Sequence, residues 1–266
     1  MLRPVMEGAR FERVELRRPD LRAPFPRRFA ARLQGQTVKA LDRRGKYLLA
    51  ELSSGDTLVM HLGMSGSFRV GFEREAAVCG THDHVVFRMS SGATVTFNDP
   101  RRFGSMRLAS EAERLRRGAV ARLGPEPLAR EFDAAVLAAA CRGKKTSLKA
   151  ALSDQRVVAG LGNIYACEAL HRAALSPRRR AGSIATRTGA PRVTARRLAA
   201  AIKKVIGGAV ARTVAQAGEH EMRYGGGRFR VYDREGRRCL RSGCPGVVRR
   251  IVQGGRSTFF CPVCQR

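Results

Sequence analysis

Four cysteines near the end of the chain constrain its folding more than any other feature. Cys239, Cys244, Cys261 and Cys264 form a C-x4-C pair, a sixteen-residue interval and a C-x2-C pair, all within the last 28 of 266 residues. So short a segment cannot bury enough apolar surface to fold unaided. One structural zinc ion held tetrahedrally by four thiolates would supply the missing free energy. Each pair fits a β-hairpin knuckle, with Val247 to Val252 and Ser257 to Phe260 as strands between them. Four free or disulfide-linked cysteines are the alternative; clustering in a reducing compartment favours metal. Cys79, Cys141 and Cys167 have no partner in the pattern and read as small apolar residues.

The interval between the pairs carries Arg249, Arg250 and Arg256, and no Asp or Glu follows Cys239. A basic hairpin of this kind suits phosphate contacts. The whole chain shares the bias, with 51 Lys plus Arg against 22 Asp plus Glu and a formal net charge of +29. Such an excess implies a polyanionic partner, nucleic acid ahead of an anionic membrane face. A high-GC genome choosing arginine for its surface is the competing explanation. A hydrophobic content of 44% excludes whole-chain disorder. No stretch approaches the ~20 apolar residues of a membrane span, and the N-terminus lacks a signal peptide's apolar core, so the reading is a cytoplasmic protein without a membrane partner.

The pattern along the chain predicts a multidomain α+β protein. Residues 1–109 read as a β domain: Lys46 to Leu52 and Thr57 to Leu62 flank the turn Ser53-Ser54-Gly55-Asp56, and His84 to Met89 and Ala93 to Phe97 flank Ser90-Ser91-Gly92. Residues 110–216 read as a helical domain, with a charged helix over 110–117 and Ala- and Leu-rich helices over 134–141, 147–158, 164–174 and 195–205. Pro177 to Thr188 is a basic loop. Residues 217–266 hold a glycine-rich stretch and the cysteine module. Gly160-Leu161-Gly162 predicts a tight turn with Asn163 capping the next helix, whose N-terminus could receive a phosphate; a capped helix hairpin without a ligand fits equally.

Several stretches together carry a family resemblance: His61-Leu62-Gly63-Met64-Ser65-Gly66, Thr81-His82-Asp83-His84, Asp99-Pro100-Arg101-Arg102-Phe103-Gly104, Leu123-Gly124-Pro125-Glu126-Pro127-Leu128, Val158 to Glu168, and Gln253 to Gln265. In this order, and over nearly the whole chain, they make it similar to the formamidopyrimidine-DNA glycosylase (Fpg/Nei) family. The resemblance implies an N-terminal β-sandwich, a helix-two-turn-helix domain and a C-terminal β-hairpin zinc finger with one structural zinc. It implies base-excision repair: removal of oxidised purines such as 8-oxoguanine and formamidopyrimidines from double-stranded DNA, then β,δ-elimination at the abasic site, by a monomer.

Residue by residue, Met64, Arg101 and Phe103 match the triad that fills the gap left by an everted nucleotide, a role suited to two apolar wedges and one cation. Without the resemblance, Met64 and Phe103 read as core residues at strand edges. Lys46 matches the family's catalytic lysine, whereas alone it is a solvated charge beside Arg43 and Arg44. Arg256 matches the arginine held against the lesion phosphate and linked to δ-elimination. His82, Arg101, Lys144, Lys149 and Asn163 match DNA-contacting positions. Glu168 matches the family pattern and is assigned a structural role only.

Three departures stand against the family pattern. The family's nucleophile is an N-terminal proline amine followed by a glutamate, but this sequence opens Met1-Leu2-Arg3-Pro4-Val5-Met6-Glu7. About a dozen residues are missing by comparison, and neither Pro4 nor Glu7 replaces the lost pair. Either the start lies upstream of this Met codon, or the chain is a binder of damaged or abasic DNA without glycosylase chemistry. The segment Ala217 to Gly227 is shorter than the family's loop over the everted base, which leaves lesion preference open. The C-x4-C spacing, finally, should adjust the first zinc knuckle without abolishing it. A ribosomal or RNA-binding zinc protein would explain the charge but not the Met64, Arg101 and Phe103 set.

Overall fold

The computed structural model describes residues 1–72, 80–110, 112–113, 118, 120–216 and 229–266. The helix expected over 110–117, the short loop over 217–227 and Cys79 fall wholly or largely outside the described residues. The chain forms two compact units, Met1–Arg122 and Leu123–Arg266.

The first unit opens with a short helix α1 (Arg3–Met6), strand β1 (Phe11–Leu16) and helix α2 (Phe29–Leu33). Strands β2 (Val38–Arg44), β3 (Tyr47–Leu52), β4 (Thr57–His61), β5 (Ser67–Gly71), β6 (Asp83–Met89), β7 (Thr94–Asn98) and β8 (Ser105–Ala109) follow. They form two antiparallel four-stranded sheets, ordered β2-β3-β4-β8 and β1-β6-β7-β5. Gly55 and Gly92 take φ of +87° and +80° at the two hairpin turns, the backbone state that makes glycine necessary there. Phe11, Phe87, Leu52, Leu58, Met60 and Phe97 share one core, and the Phe11 and Phe87 rings meet edge to face at 5.2 Å.

The second unit contains helices α3 (Ala134–Cys141), α4 (Leu148–Ser153), α5 (Asn163–Arg172) and α6 (Val193–Gln216), then the hairpin β9 (Arg249–Gln253) and β10 (Arg256–Phe260). Asp133 caps α3 by accepting from Val136 N–H at 2.8 Å, and Ser147 caps α4 by accepting from Ala150 N–H at 3.2 Å. Helix α4 stops short of the expected 158 because Asp154 Oδ1 accepts the Arg156 N–H at 3.0 Å, a local turn that competes with the helix ladder. The basic loop contains a 3-10 turn over Ala181–Ile184. Phe132, Leu137, Leu148, Leu170, Leu198 and Ile202 pack into a helical core, and Cys167, Val231, Val248 and Phe259 join α5 to the hairpin. Cys141 and Cys167 are buried as expected, and burial pushes the Cys141 thiol up to about 11. Among the described residues no helix is long and apolar enough to cross a membrane.

Candidate nucleic-acid interface

Strand register gathers the first set of predicted residues. Tyr47 pairs with His61, and His61 with Ser105, so one row of the β2-β3-β4-β8 sheet ends at all three positions. The β2–β3 turn bearing Lys46, the β4–β5 loop bearing Met64 and the β7–β8 loop bearing Arg101 and Phe103 therefore leave the sheet at the same end. Lys46 is exposed, and it stands close enough to His61 to affect its titration. His61 is held below its ordinary pKa by burial first, then by the Lys46 and Arg22 charges.

The two loops are locked together. Gly63 has φ +67°, and a Cβ there would lie 2.4 Å from the Phe103 carbonyl carbon, so only glycine permits this approach. His61 Nδ1 accepts the Gly63 N–H at 2.9 Å. Asp99, fully buried, accepts from the Ser65 hydroxyl at 2.6 Å and from Gly104 N–H at 2.8 Å. Ser65 Oγ in turn accepts the Arg101 N–H at 3.2 Å. The Arg101 guanidinium lies over the Phe103 ring at 4.8 Å. On this frame Met64 is 69% exposed and Phe103 41% exposed, so neither is a core residue. Ser65 and Asp99 carry no signal of their own in the sequence, although both sit inside the motifs that carry the resemblance.

His82 is exposed at the start of β6. Its neighbours are anchored: Asp83 accepts from Gly80 N–H at 2.7 Å and Asn98 Nδ2 at 2.8 Å and pairs with Arg69, and His84 Nε2 bonds the Asp99 carbonyl at 2.9 Å.

In the second unit Asn163 is the first residue of α5 and does not cap it. Gly162 occupies the cap position, with no side chain serving the free amides. The Asn163 amide instead donates to the Ser257 carbonyl at 2.9 Å, tying the helix start to β10. Arg256, exposed, begins β10 after Gly254 and Gly255, which take φ of +56° and +70°. Lys149 is only 1% exposed, and its pKa is lowered by burial and further by Arg256. Lys149, Asn163 and Arg256 are thus brought to one place, while Lys144 lies half-buried beyond the end of α3. Glu168 accepts from the Arg230, Val231 and Tyr232 N–H groups at 2.9, 2.9 and 3.0 Å, a structural role that fixes the chain entering the cysteine module.

The four cysteine sulfurs lie within 4.8 Å of one another. A tetrahedron with Zn–S of about 2.3 Å has an S–S edge of about 3.8 Å. The Cys239–Cys264 and Cys244–Cys261 separations are 3.8 and 3.7 Å, so the cluster has the geometry of a structural zinc site. The hairpin between the pairs is present, shifted by one or two residues from the expected strands. The first knuckle accommodates its longer spacing with Gly243 at φ +69° and with Gly246, where a Cβ would lie 2.5 Å from Cys261 Sγ. His171, fully buried on α5, places Nε2 3.3 Å from Cys239 Sγ, a contact that with a thiolate requires the Nε2–H tautomer. Burial and the Arg241 and Arg230 charges hold its pKa down at about 4. Nothing in the sequence pattern marks this histidine.

The family model for the formamidopyrimidine-DNA glycosylase N-terminal domain matches residues 1–106, and that for the formamidopyrimidine-DNA glycosylase H2TH domain matches residues 123–218. The chain is 58% identical to a formamidopyrimidine-DNA glycosylase of Bradyrhizobium sp. (strain BTAi1 / ATCC BAA-1182), covering 100% of this chain and 96% of the relative. It is similar to the Lactococcus lactis Fpg in complex with abasic-site DNA, at 28% identity and TM-score 0.82, covering 100% of this chain and 95% of that one. The complex of the same L. lactis protein with Fapy-dG DNA gives 27% identity and TM-score 0.83, covering 100% and 96%.

Proposed function

The chain belongs to the formamidopyrimidine-DNA glycosylase family, and on that premise we propose that it removes oxidised purines from duplex DNA and cleaves the resulting abasic site by β,δ-elimination. The observation that carries this reading is the exposure of Met64 and Phe103 on loops locked through Asp99. Apolar side chains held out of the core on rigid loops are suited to entering a base stack, and Arg101 over Phe103 can face the orphaned base.

Lys46 is the amine assigned to assist elimination beside the damaged nucleotide, and Arg256 the guanidinium set against its phosphate. His82, Arg101, Lys144, Lys149 and Asn163 are the assigned DNA contacts. Zinc on Cys239, Cys244, Cys261 and Cys264 is structural: it holds the hairpin that presents Arg256 and takes no part in bond breaking. The protein works as a monomer in the bacterial cytoplasm, at the nucleoid.

Borohydride trapping tests the reading. In an imine mechanism a protein amine attacks the sugar C1′, the glycosidic bond breaks, and the base leaves with a proton; borohydride then reduces the C=N bond to a stable amine. A covalent adduct on duplex DNA with 8-oxoguanine opposite cytosine is the expected result; because neither Pro4 nor Glu7 replaces the family's N-terminal pair, it would place the attacking amine on a lysine, Lys46 first. Specific binding without an adduct on that duplex or on an abasic one would make the chain a zinc-dependent binder of damaged DNA instead.

A further inference from the structure

Helix α5 presents Asn163 at its first residue and Arg172 at its last, nine steps and about 13.5 Å apart at a rise of ~1.5 Å per residue. At the far end, Arg172, Arg230 and Arg241 line one cavity of about 300 Å³. Arg172 also lines an adjoining cavity of about 300 Å³ together with Ala173, Arg197, Ala200, Ala201 and Lys204. Five cations therefore surround two neighbouring hollows.

Two of the five have a structural task. Arg241 donates to the His171 carbonyl and, at 3.3 Å, to that of Arg172, while Arg197 donates to the Ala173 carbonyl. Both satisfy carbonyls at the negative end of α5. That leaves Arg172, Arg230 and Lys204, whose side chains have no hydrogen bond and no carboxylate partner among the described residues. The one nearby acid on the helix, Glu168, is consumed by three backbone amides. Guanidinium groups that line one hollow repel one another, and an anion with several oxygens relieves that repulsion through charge-assisted, bidentate hydrogen bonds.

We propose that the C-terminal end of α5 is a second backbone-phosphate site, which holds a DNA segment other than the one engaged at Asn163 and Arg256. The proposal rests on the DNA-binding function above. Two hollows that share Arg172 could each take one phosphodiester of a strand, and the contact would be sequence-independent. It would let the protein bridge two duplexes and pass from one to the other without full release.

The test uses the full zinc-loaded chain saturated with a lesion duplex carrying a tetrahydrofuran abasic analogue. A second, undamaged duplex with a different fluorophore is then titrated in at low salt, and ternary complex is read by two-colour energy transfer. The wild-type chain should take up the second duplex with an affinity that falls steeply with salt. The double variant Arg172→Gln/Arg230→Gln, which keeps the helix-capping Arg241 and Arg197, should weaken that uptake at least tenfold and leave lesion-duplex affinity within twofold. Failure of the first duplex to bind would sink the DNA reading itself. Normal first binding without second binding, or second binding unchanged in the double variant, would overturn the proposal alone. So would a site that binds inorganic phosphate yet no second duplex.

Discussion

The Ser65 hydroxyl and the Asp99 carboxylate meet at 2.6 Å across 34 residues of sequence, and the other oxygen of the same carboxylate accepts the Gly104 amide at 2.8 Å. One buried acid thereby holds the loop of Met64 and the loop of Phe103 in a fixed relation. Asp99→Ala removes both acceptor oxygens, leaving the Ser65 hydroxyl and the buried Gly104 N–H without this partner. A buried polar group left unsatisfied costs about 1–3 kcal/mol. The variant should melt a few degrees lower and lose its preference for an abasic-analogue duplex over an undamaged one. Equal weakening on both duplexes would show that Asp99 supports the fold without positioning the wedge.

Acid should weaken the first unit through His61. Its folded pKa lies below the ordinary 6.5, so the unfolded chain takes up the proton first as pH falls. Stability is therefore complete above 6.5 and declines as pH drops below it. Histidine-resolved NMR titration should place the His61 midpoint under 6.5, and His61→Gln should flatten the pH slope of unfolding. A midpoint at or above 6.5 would remove the premise.

Zinc removal should release about one ion per chain and weaken lesion binding at least tenfold while leaving the β-sheet unit folded, since the metal supplies folding energy to the finger alone. Gly246→Ala should act in the same direction, because the added methyl would lie 2.5 Å from Cys261 Sγ. Thiol-reagent zinc titration against denaturation monitored in both units checks this. A chain that binds lesion DNA normally after complete chelation would refute it.

Lys46→Arg retains the positive charge beside His61 but removes the primary amine assigned to the elimination step. General acid–base groups contribute about 10²–10⁴-fold, so single-turnover strand cleavage should fall by that order while duplex affinity stays within twofold. Cleavage at the wild-type rate would take Lys46 out of the chemistry.

Local information is legible along the chain. The hairpins at Gly55 and Gly92 follow from β-branched and apolar runs broken by turn residues, and the pattern places α3 at its observed bounds because an Ala-Leu run follows a capping aspartate. The four-cysteine cluster follows from spacing, since a ligand set separated by a short hairpin needs little else to close. By contrast, the pattern carries α4 past its observed end at Ser153, because the side-chain turn at Asp154 outcompetes helix propensity.

The sequence by itself determined which residues are candidates for the chemistry, four strands of the first unit and the main helices of the second; the tertiary structure alone decided where those side chains point. Periodicity gave Met64 and Phe103 no direction, and exposure came from Asp99 clamping two distant loops. Asn163 has the look of a cap, but the Ser257 carbonyl, 94 residues away, claims its amide. Lys149 matches a DNA-contacting position yet lies inside, and His171 is a neighbour of Cys239. The physical reason is common to all of them. A side chain's partner is chosen by the free energy of burial and hydrogen bonding in the assembled fold, and residues far apart in sequence leave no trace of that choice in local pattern.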